Sequence, residues 1–237
     1  MTRVVDEKRN IFRISFLLFT IAMIVFLLLL ILAMIFYPGG NFAGLDIEYY
    51  SLVYNGICDM RELTSINGEP NIVSSTLLKI GIILFAFASI LFFSTISFFF
   101  QKRKSTKYLS LIGLFFGITQ GPLNALIIYL HSTFVVHMTI VIIAPIFQYL
   151  AVILFTIVYF IDGSFPKLNL YSFLILSIIS IIFPIIVGVA TAIGGDFHFI
   201  SNRLGTNLFN YLSIIVFIIQ GLGLFFYLKP EKHITTT

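Results

Sequence analysis

Residues 12–36 read FRISFLLFTIAMIVFLLLLILAMIF, a nearly unbroken apolar run of 25 residues. A helix of ~20 apolar residues crosses the hydrocarbon core of a bilayer, so this run predicts a membrane-spanning helix. A cleavable signal peptide has a shorter apolar core and a small-residue exit, whereas this run leaves through Tyr37-Pro38-Gly39-Gly40. We therefore expect the run to be retained as the first span.

Five further apolar runs follow, and together they predict an all-α integral membrane protein built as a six-transmembrane-helix bundle. The runs are continuous and lack the alternating polar residues of a membrane β-barrel. The break at 131–137, HSTFVVH, is short and only partly polar, and the topology downstream depends on it. The six spans are expected at residues 12–36, 74–100, 108–130, 138–161, 170–193 and 207–228.

The composition excludes a water-soluble globule. Of the 237 residues, 59% are hydrophobic and 10% are charged, with a mean hydropathy of +1.07, so lipid must cover much of the surface. We expect a single membrane domain over residues 1–237. One cysteine, Cys58, excludes an internal disulfide. Seven tyrosines lie near predicted span ends, where an interfacial aromatic belt is expected: Tyr37, Tyr49, Tyr50, Tyr54, Tyr108, Tyr129 and Tyr227.

Lysine and arginine fall mainly on one side of the predicted spans. Eleven of the fourteen lie in the N-terminal segment, the loop 101–107, the loop containing Lys167, and the tail. Arg61 and Arg203 lie in the opposite loops, and Lys79 lies inside span two. Positive residues stay cytoplasmic, so we expect a cell-membrane protein with both termini in the cytoplasm. Basic residues that flank spans also argue against a nucleic-acid partner.

Residues 38–73 form the longest hydrophilic stretch, and the charge pattern makes it one long extracytoplasmic loop between helices 1 and 2. Loops this long are uncommon unless they are functional or disordered, and the aromatic residues at 49–54 argue against disorder. We expect the loop to pack over the helix ends. Histidines and acidic residues are concentrated on this side, where the candidate outer-face cluster is Asp59, Glu69, Asn71, His131, His137 and Arg203.

Imidazole and carboxylate groups are zinc ligands, and a metal-activated water near the headgroups could hydrolyse a lipid. The spacings match no metal signature, because the chain has no His-Glu-x-x-His and because His131 and His137 are six residues apart. We therefore expect no metal and no cofactor. The alternative is that these residues are hydrated loop residues, with His137 or Arg203 anchoring helix ends. No nucleophile elbow, phosphate-binding loop or dinucleotide fingerprint is present in the sequence.

Polar residues inside the spans are the second candidate group, namely Lys79, Gln120 and Asn124. Lys79 is the only charged residue within a span, about 8 Å from its outer end, so it either snorkels to the interface or pairs with a carboxylate. Gln120 and Asn124 lie four residues apart beside Pro122 and share a helix face. With Gln148, Asn210 and Gln220, these amides either line a polar cavity or hydrogen-bond neighbouring helices.

Glycine recurs at four-residue spacing along span three, at Gly113, Gly117 and Gly121. Small residues at this spacing form a smooth stripe that lets another helix approach closely. We therefore expect tight helix packing on this face of span three.

Several short motifs carry a family resemblance. They are Tyr37-Pro38-Gly39 at the exit of span one, Asp59 within Gly56-Ile57-Cys58-Asp59-Met60, the run Asn67-Gly68-Glu69-Pro70-Asn71 that leads into Ser74-Ser75, His137 at the start of span four, and Arg203-Leu204 before span six. This layout resembles the six-span bacterial and archaeal membrane family catalogued as domain of unknown function 998, which is similar to the Frag/DRAM/Sfk-type six-span proteins. The resemblance implies the six-span fold and an outer cluster of Asp59, His137 and Arg203, without an established activity. The family's aspartate usually lies in Ser-Asp-Leu-Gly, whereas Cys58 and Met60 flank it here.

Three classes of function follow from these observations. The preferred hypothesis is a sensory or scaffolding multi-pass membrane protein whose outer loop caps the helical bundle. The alternatives are an enzyme that modifies lipids of the outer leaflet, metal-dependent or not, and a small-solute transporter. The lipid bilayer is the expected partner, and a lipid or small-molecule ligand stays open, as do protein partners.

Overall fold

The computed structural model describes residues 2–41, 44, 47–101, 103–129 and 134–229. Among these residues it contains no β-strand, only one isolated bridge between Thr64 and Pro70. A short 3₁₀ helix, Ile57–Arg61, precedes α2, and a second one, Phe98–Phe100, extends it. The six α-helices are α1 (Thr2–Ile35), α2 (Ile72–Ser97), α3 (Lys104–Tyr129), α4 (Phe134–Asp162), α5 (Lys167–Ile193) and α6 (Gly195–Tyr227).

All six helices are long and apolar enough to cross a membrane. This confirms the six apolar helices predicted from the sequence and supports a multi-pass membrane protein. The helices extend beyond the apolar runs, since α1 begins at Thr2 instead of residue 12 and α6 at Gly195 instead of residue 207. A helix satisfies its backbone hydrogen bonds internally in water as well as in lipid, so hydropathy does not mark where it ends.

Neighbouring helices pack in chain order, and α6 packs against α1, so the six helices form a closed ring. Helices α3 and α4 are antiparallel neighbours: Gly113 lies against Phe155, and the rings of Phe116 and Phe147 are 5.1 Å apart. Two separate helices are therefore present, as predicted, but the predicted break at 131–137 is too long, because α4 begins at Phe134 and includes residues 134–137. Residues 130–133 lie outside the described residues.

The glycine stripe of α3 lies where the packing is closest. A Cβ atom at Gly121 would lie 2.8 Å from the Cα atom of Ala86, a backbone atom of α2. Gly117 lies against the ring of Phe93, also in α2, whereas Gly113 contacts α4. The expected tight packing is confirmed, and the stripe serves two neighbouring helices.

An aromatic core fills the middle of the ring. It centres on Phe92 of α2, whose ring centroid lies 4.6 Å from that of Phe19, 5.8 Å from that of Phe217 and 6.2 Å from that of Phe173. We call this set the aromatic core: Phe19, Phe92, Phe93, Phe155, Phe173 and Phe217. These side chains come from five of the six helices, and Gly117 of α3 admits Phe93.

One of the amides predicted to lie within the spans joins three helices, α4, α5 and α6. Gln220 of α6 donates from Nε2 to the carbonyl oxygen of Asn169 (2.7 Å), and Asn169 donates from Nδ2 to the carbonyl oxygen of Gln220 (2.9 Å). The hydroxyl of Tyr159 donates to Oε1 of Gln220 at 3.0 Å. Of the two roles expected for these amides, lining a polar cavity or hydrogen-bonding neighbouring helices, Gln220 therefore takes the second.

We call the segment between α1 and α2, residues 36–71, the cap segment. Its described residues, 36–41, 44 and 47–71, fold over one end of the ring. Gly39 and Gly40 take the positive φ angles of +114° and +79° that glycine tolerates. The amide of Gly40 donates to the carbonyl oxygen of Ile47 at 2.8 Å. A Cβ atom at Gly39 would lie 2.8 Å from the backbone of Glu48, so only glycine allows the segment to fold back on itself here.

Candidate functional site

A line of polar residues runs along α6 from the cap segment toward the middle of the bundle. Arg203, Asn207, Asn210 and Ser213 follow one another at spacings of four, three and three residues. This spacing places all four on one helix face. We call them the α6 polar stripe.

Arg203, the first residue of the stripe, meets Asp59 of the cap segment. Its Nη1 atom lies 3.3 Å from Oδ1 of Asp59, which is only 7% exposed. The guanidinium also lies against Gly56, where a Cβ atom would collide with Nη1. Two residues of the predicted outer-face cluster are therefore in direct contact, and glycine at position 56 leaves the room for that contact.

The second oxygen of Asp59 is bound within the cap segment. Oδ2 accepts from the amide of Gly56 at 3.0 Å and from Nδ2 of Asn55 at 3.2 Å. Asp59 thus reaches back to the backbone N–H just before the short 3₁₀ helix, as an acidic residue does in a capping box. Both oxygens of this carboxylate have hydrogen-bond donors.

Asn207, the second residue of the stripe, binds the cap segment directly. Its Nδ2 atom donates to the carbonyl oxygens of Asn55 (2.8 Å) and Leu52 (2.9 Å). Asn55 is fully buried, accepts from the amide of Ser51 at 3.0 Å and donates to the carbonyl oxygen of Gly40 at 2.8 Å. Asn55 and Asn207 together satisfy backbone groups that would otherwise be buried without partners.

The opposite side of the cap segment is anchored on α3 and α2. Nη1 of Arg61 donates to the carbonyl oxygen of Ile127 at 3.1 Å, near the end of α3. The hydroxyl of Ser75, in the first turn of α2, donates to the carbonyl oxygen of Arg61 at 2.6 Å. The segment therefore packs over the ends of three helices, α2, α3 and α6, as expected from its sequence.

Burial changes the acid–base chemistry of the cap segment. It raises the pKa of Asp59 above the ordinary value for a carboxyl group, while Arg203, the Gly56 amide and the Asn55 side chain act in the opposite direction. Burial also raises the pKa of the Cys58 thiol to about 11, with the neighbouring Asp59 adding to the effect. At neutral pH, Cys58 is therefore a thiol and a poor nucleophile.

Four members of the predicted outer-face cluster remain, and the structure describes the side chains of two of them, Asn71 and Glu69. Asn71 is buried and donates from Nδ2 to the carbonyl oxygens of Glu62 (2.8 Å) and Met60 (3.1 Å), so it fixes the entry into α2. Glu69 is exposed, and its carbonyl oxygen accepts from the amide of Ser65 at 2.9 Å. His131 and the side chain of His137 lie outside the described residues. Within the described part of the chain, no three His, Cys, Asp or Glu side chains are grouped closely enough to hold a metal ion.

Tyr37 and Tyr50 correct a further expectation. Both are buried, and their rings meet edge-on with centroids 5.9 Å apart. Burial raises the pKa of Tyr37 to about 12 and raises that of Tyr50 further. They pack the cap segment against the bundle and do not face lipid as members of an interfacial belt.

The candidate intramembrane residues take different environments. Lys79 is half-buried in the second turn of α2. Gln120 is fully buried, donates from Nε2 to the hydroxyl of Ser89 at 2.9 Å and accepts at Oε1 from Nδ2 of Asn124 at 3.2 Å. Gln120 therefore joins α3 to α2. Asn124, one turn further along α3, lines a cavity between the helices.

A cavity of about 110 Å³ lies beneath the cap segment, on the cap side of the aromatic core, and we call it the cap cavity. Its walls come from five helices, and Ile57 and Cys58 of the cap segment contribute at one end. The lining is Phe26, Leu30, Ile57, Cys58, Ile82, Phe85, Asn124, Ile127, Ile128, Gln148, Asn210, Ser213 and Ile214. Of the two alternatives for the amides within the predicted spans, lining a polar cavity is the one observed for Asn124, Gln148 and Asn210.

The sequence analysis missed Asn55, Asn207 and Ser213. The α6 polar stripe could have been predicted from the sequence, because Arg203, Asn207 and Asn210 recur with the helical period. No comparable pattern marks Asn55, whose role depends on the fold of the cap segment. In comparisons with known proteins, no family model, no curated protein and no solved structure matches the chain, so the family resemblance of the cap residues stays a prediction.

Proposed function

We propose that the chain is a non-catalytic, sensory or scaffolding protein of the cell membrane, in which the cap segment lies on the extracytoplasmic side and holds the helix ends in place. The contact between Asp59 and Arg203, 3.3 Å apart, carries the proposal, because it ties the cap segment to α6. The orientation rests on the basic residues, which are concentrated at the opposite end of the bundle.

The chemistry of the cap segment favours a structural role over catalysis. A general base needs a lone pair that can reach a substrate, whereas both oxygens of Asp59 are engaged by Arg203, Gly56 and Asn55. The Cys58 thiol, with its pKa raised to about 11, is not activated as a nucleophile. These two groups therefore support the arrangement of the cap segment and not a reaction of outer-leaflet lipids.

The test measures how far the protein depends on this contact. In Asp59→Asn and Arg203→Gln variants, we expect a clear loss of monodisperse protein after detergent extraction and a lower melting temperature. Glu69→Gln is the matched control, because Glu69 is an exposed carboxylate of the same segment. Variants as abundant and as heat-stable as the wild type would contradict the structural role of the contact.

Catalysis is tested separately with wild-type protein in phospholipid nanodiscs. Lipid composition, followed by mass spectrometry, is expected to stay constant with and without a chelator. Turnover that Asp59→Asn abolishes at equal folded concentration would favour the lipid-modifying enzyme.

Small-solute transport is the second candidate, and the cap cavity is the observation that favours it. A transporter needs access to its site from both sides of the membrane in turn. The aromatic core closes the bundle below the cavity, since Phe92 lies between Phe19 and Phe217. Faster glycerol-driven swelling of proteoliposomes than of protein-free vesicles would support transport, and equal rates would count against it.

A further inference from the structure

We infer that the cap cavity is a binding site for a small neutral molecule with a hydrogen-bonding head and an apolar body. The inference goes beyond the proposed function by giving the sensory alternative a ligand. It rests on that function in one respect, because the cap segment supplies Ile57 and Cys58 to the cavity wall.

The wall of the cavity has two chemically different sides. Helices α1 and α2 contribute only apolar side chains, namely Phe26, Leu30, Ile82 and Phe85. Helices α3, α4 and α6 contribute every polar lining residue apart from Cys58, namely Asn124, Gln148, Asn210 and Ser213. A wall of mainly apolar surface with a few convergent polar groups is typical of small-molecule sites.

Polar groups on this second side lack partners within the described residues. The hydroxyl of Ser213 is buried without a hydrogen bond, in a residue that is 4% exposed. Gln148 is 8% exposed and Asn210 is half-buried, and neither side-chain amide is hydrogen-bonded to a described group. Since buried polar groups are normally hydrogen-bonded, the Ser213 hydroxyl and the Gln148 amide need a partner that the described residues do not supply.

The contrast with other buried amides supports this inference. Gln120 and Gln220 are hydrogen-bonded to groups of neighbouring helices, and Asn124 donates to Gln120 within its own helix. Gln148 and Asn210, which also line the cavity, make no such bond to a described residue.

The lining also defines the charge and size of the ligand. None of the described residues that line the cavity is charged, and an unpaired charge in such surroundings is strongly disfavoured. The amides of Gln148 and Asn210 offer donors and acceptors together, and Asn124 adds an acceptor oxygen because its Nδ2 already donates to Gln120, which suits a hydroxyl or amide head. A 150 Å³ cavity admits benzene, so the smaller volume of 110 Å³ here suits a molecule of at most about six non-hydrogen atoms.

Water alone would satisfy only half of this wall. A volume of 110 Å³ corresponds to about three or four water molecules at the density of the liquid. Those beside Phe26 and Phe85 would find no hydrogen-bonding group of the protein, because that side of the cavity is apolar. A molecule with a polar head and an apolar body is complementary to both sides.

Cys58 provides the readout, because it is the chain's one cysteine and lines the cavity. Purified full-length protein in nanodiscs is labelled with methyl methanethiosulfonate at about pH 9, where more of the thiol is ionised than at neutral pH while an alkylammonium still carries its charge. The probes are butanamide and 1-pentanol, with butyrate, butylammonium and pentane as matched molecules that carry a charge or lack a polar head.

We expect butanamide and 1-pentanol to slow the labelling of Cys58 by the factor 1 + [L]/Kd, about tenfold at nine times the measured Kd. Butyrate, butylammonium and pentane are expected to leave the rate unchanged. Failure of both neutral probes to slow the reaction, or equal slowing by the charged or apolar molecules, would overturn the inference.

Variants then locate the effect. Gln148→Leu and Ser213→Ala are expected to abolish the slowing by butanamide, whereas Thr119→Val, whose hydroxyl bonds only its own helix at 2.7 Å, should retain it. Slowing that persists in Gln148→Leu and Ser213→Ala would contradict the site. Because the probe series uses the wild-type protein, it decides the ligand independently of the Asp59 and Arg203 variants that test the proposed function.

Discussion

Asp59 and Arg203 are 144 residues apart in the chain, yet Nη1 of Arg203 donates to Oδ1 of Asp59 at 3.3 Å. The contact is asymmetric, because the side chain of Asp59 is almost fully buried while about a quarter of the Arg203 side chain is exposed. Loss of Arg203 therefore leaves a buried charge with fewer donors, whereas loss of Asp59 leaves a cation that water can still reach.

This asymmetry gives the first prediction. Arg203→Gln should destabilise the protein by about 1–3 kcal/mol, the range for a buried polar group that loses its partner, and Asp59→Asn should destabilise it less. Adding Asp59→Asn to Arg203→Gln should recover part of the loss, because it removes the unpaired charge. Melting temperatures of the four proteins in one double-mutant cycle provide the measurement, and strictly additive effects would contradict a direct interaction.

The second prediction concerns Asn207, whose amide donates to two carbonyl oxygens of the cap segment. Asn207→Leu leaves both carbonyls without this donor, so we expect a loss of about 1–3 kcal/mol. The same variant should increase hydrogen exchange of the backbone amides in residues 50–56. Thr119→Val is the control, and equal exchange in both variants would show that Asn207 does not hold the cap segment.

The third prediction is a pH dependence that originates from Asp59. Its pKa is raised in the folded protein, so over the interval between its ordinary value of about 3.9 and the folded value, the folded state binds more protons than the unfolded state. Stability from this group therefore falls as pH rises through that interval and is constant above it. The nearby titratable groups Cys58, Tyr37 and Tyr50 ionise at much higher pH.

The measurement compares wild type with Asp59→Asn from about pH 4 to about pH 8. The melting temperature of the wild type should fall relative to that of the variant as pH increases, and the two curves should then run parallel. Glu69→Gln serves as the control for an exposed carboxylate. A wild type that gains stability relative to Asp59→Asn over the same interval would show that the Arg203 contact outweighs burial.

The sequence was sufficient to predict six helices because hydropathy over about 20 residues is a local property. It was insufficient for the helix ends, since α6 continues from residue 207 back to Gly195 without an apolar signal. The cap segment's position over the bundle was predicted, and so was the candidate status of Asp59 and Arg203. Their pairing was only a hypothesis, because it depends on how α6 and the cap segment are placed together in space.

The cap cavity could not be predicted from the sequence. Asn124, Gln148 and Asn210 were recognised as polar residues within spans, with two alternatives for their role. Only packing decides between these alternatives, because a cavity is bounded by several helices at once. The same limit applied to Tyr37 and Tyr50, whose position near span ends predicted an interfacial belt although both pack inward.

The fourth prediction tests the closest helix contact. Alanine at Gly121 would place its Cβ atom 2.8 Å from the Cα and 3.0 Å from the carbonyl oxygen of Ala86, and backbone atoms cannot move aside as a flexible side chain can. Overpacking of this kind costs about 1–3 kcal/mol, which exceeds the gain in helix propensity of up to about 1 kcal/mol.

Gly188 of α5 separates these two effects, because a Cβ atom there would meet no heavy atom within 4 Å. Gly188→Ala should therefore raise the melting temperature through helix propensity alone, while Gly121→Ala should lower it. Thermal denaturation of both variants in the same detergent measures this opposition in sign. If both substitutions raise the melting temperature, α3 and α2 lie farther apart than the structure places them at Gly121 and Ala86. A longer separation would remove the collision at Gly121 and leave only the gain in helix propensity.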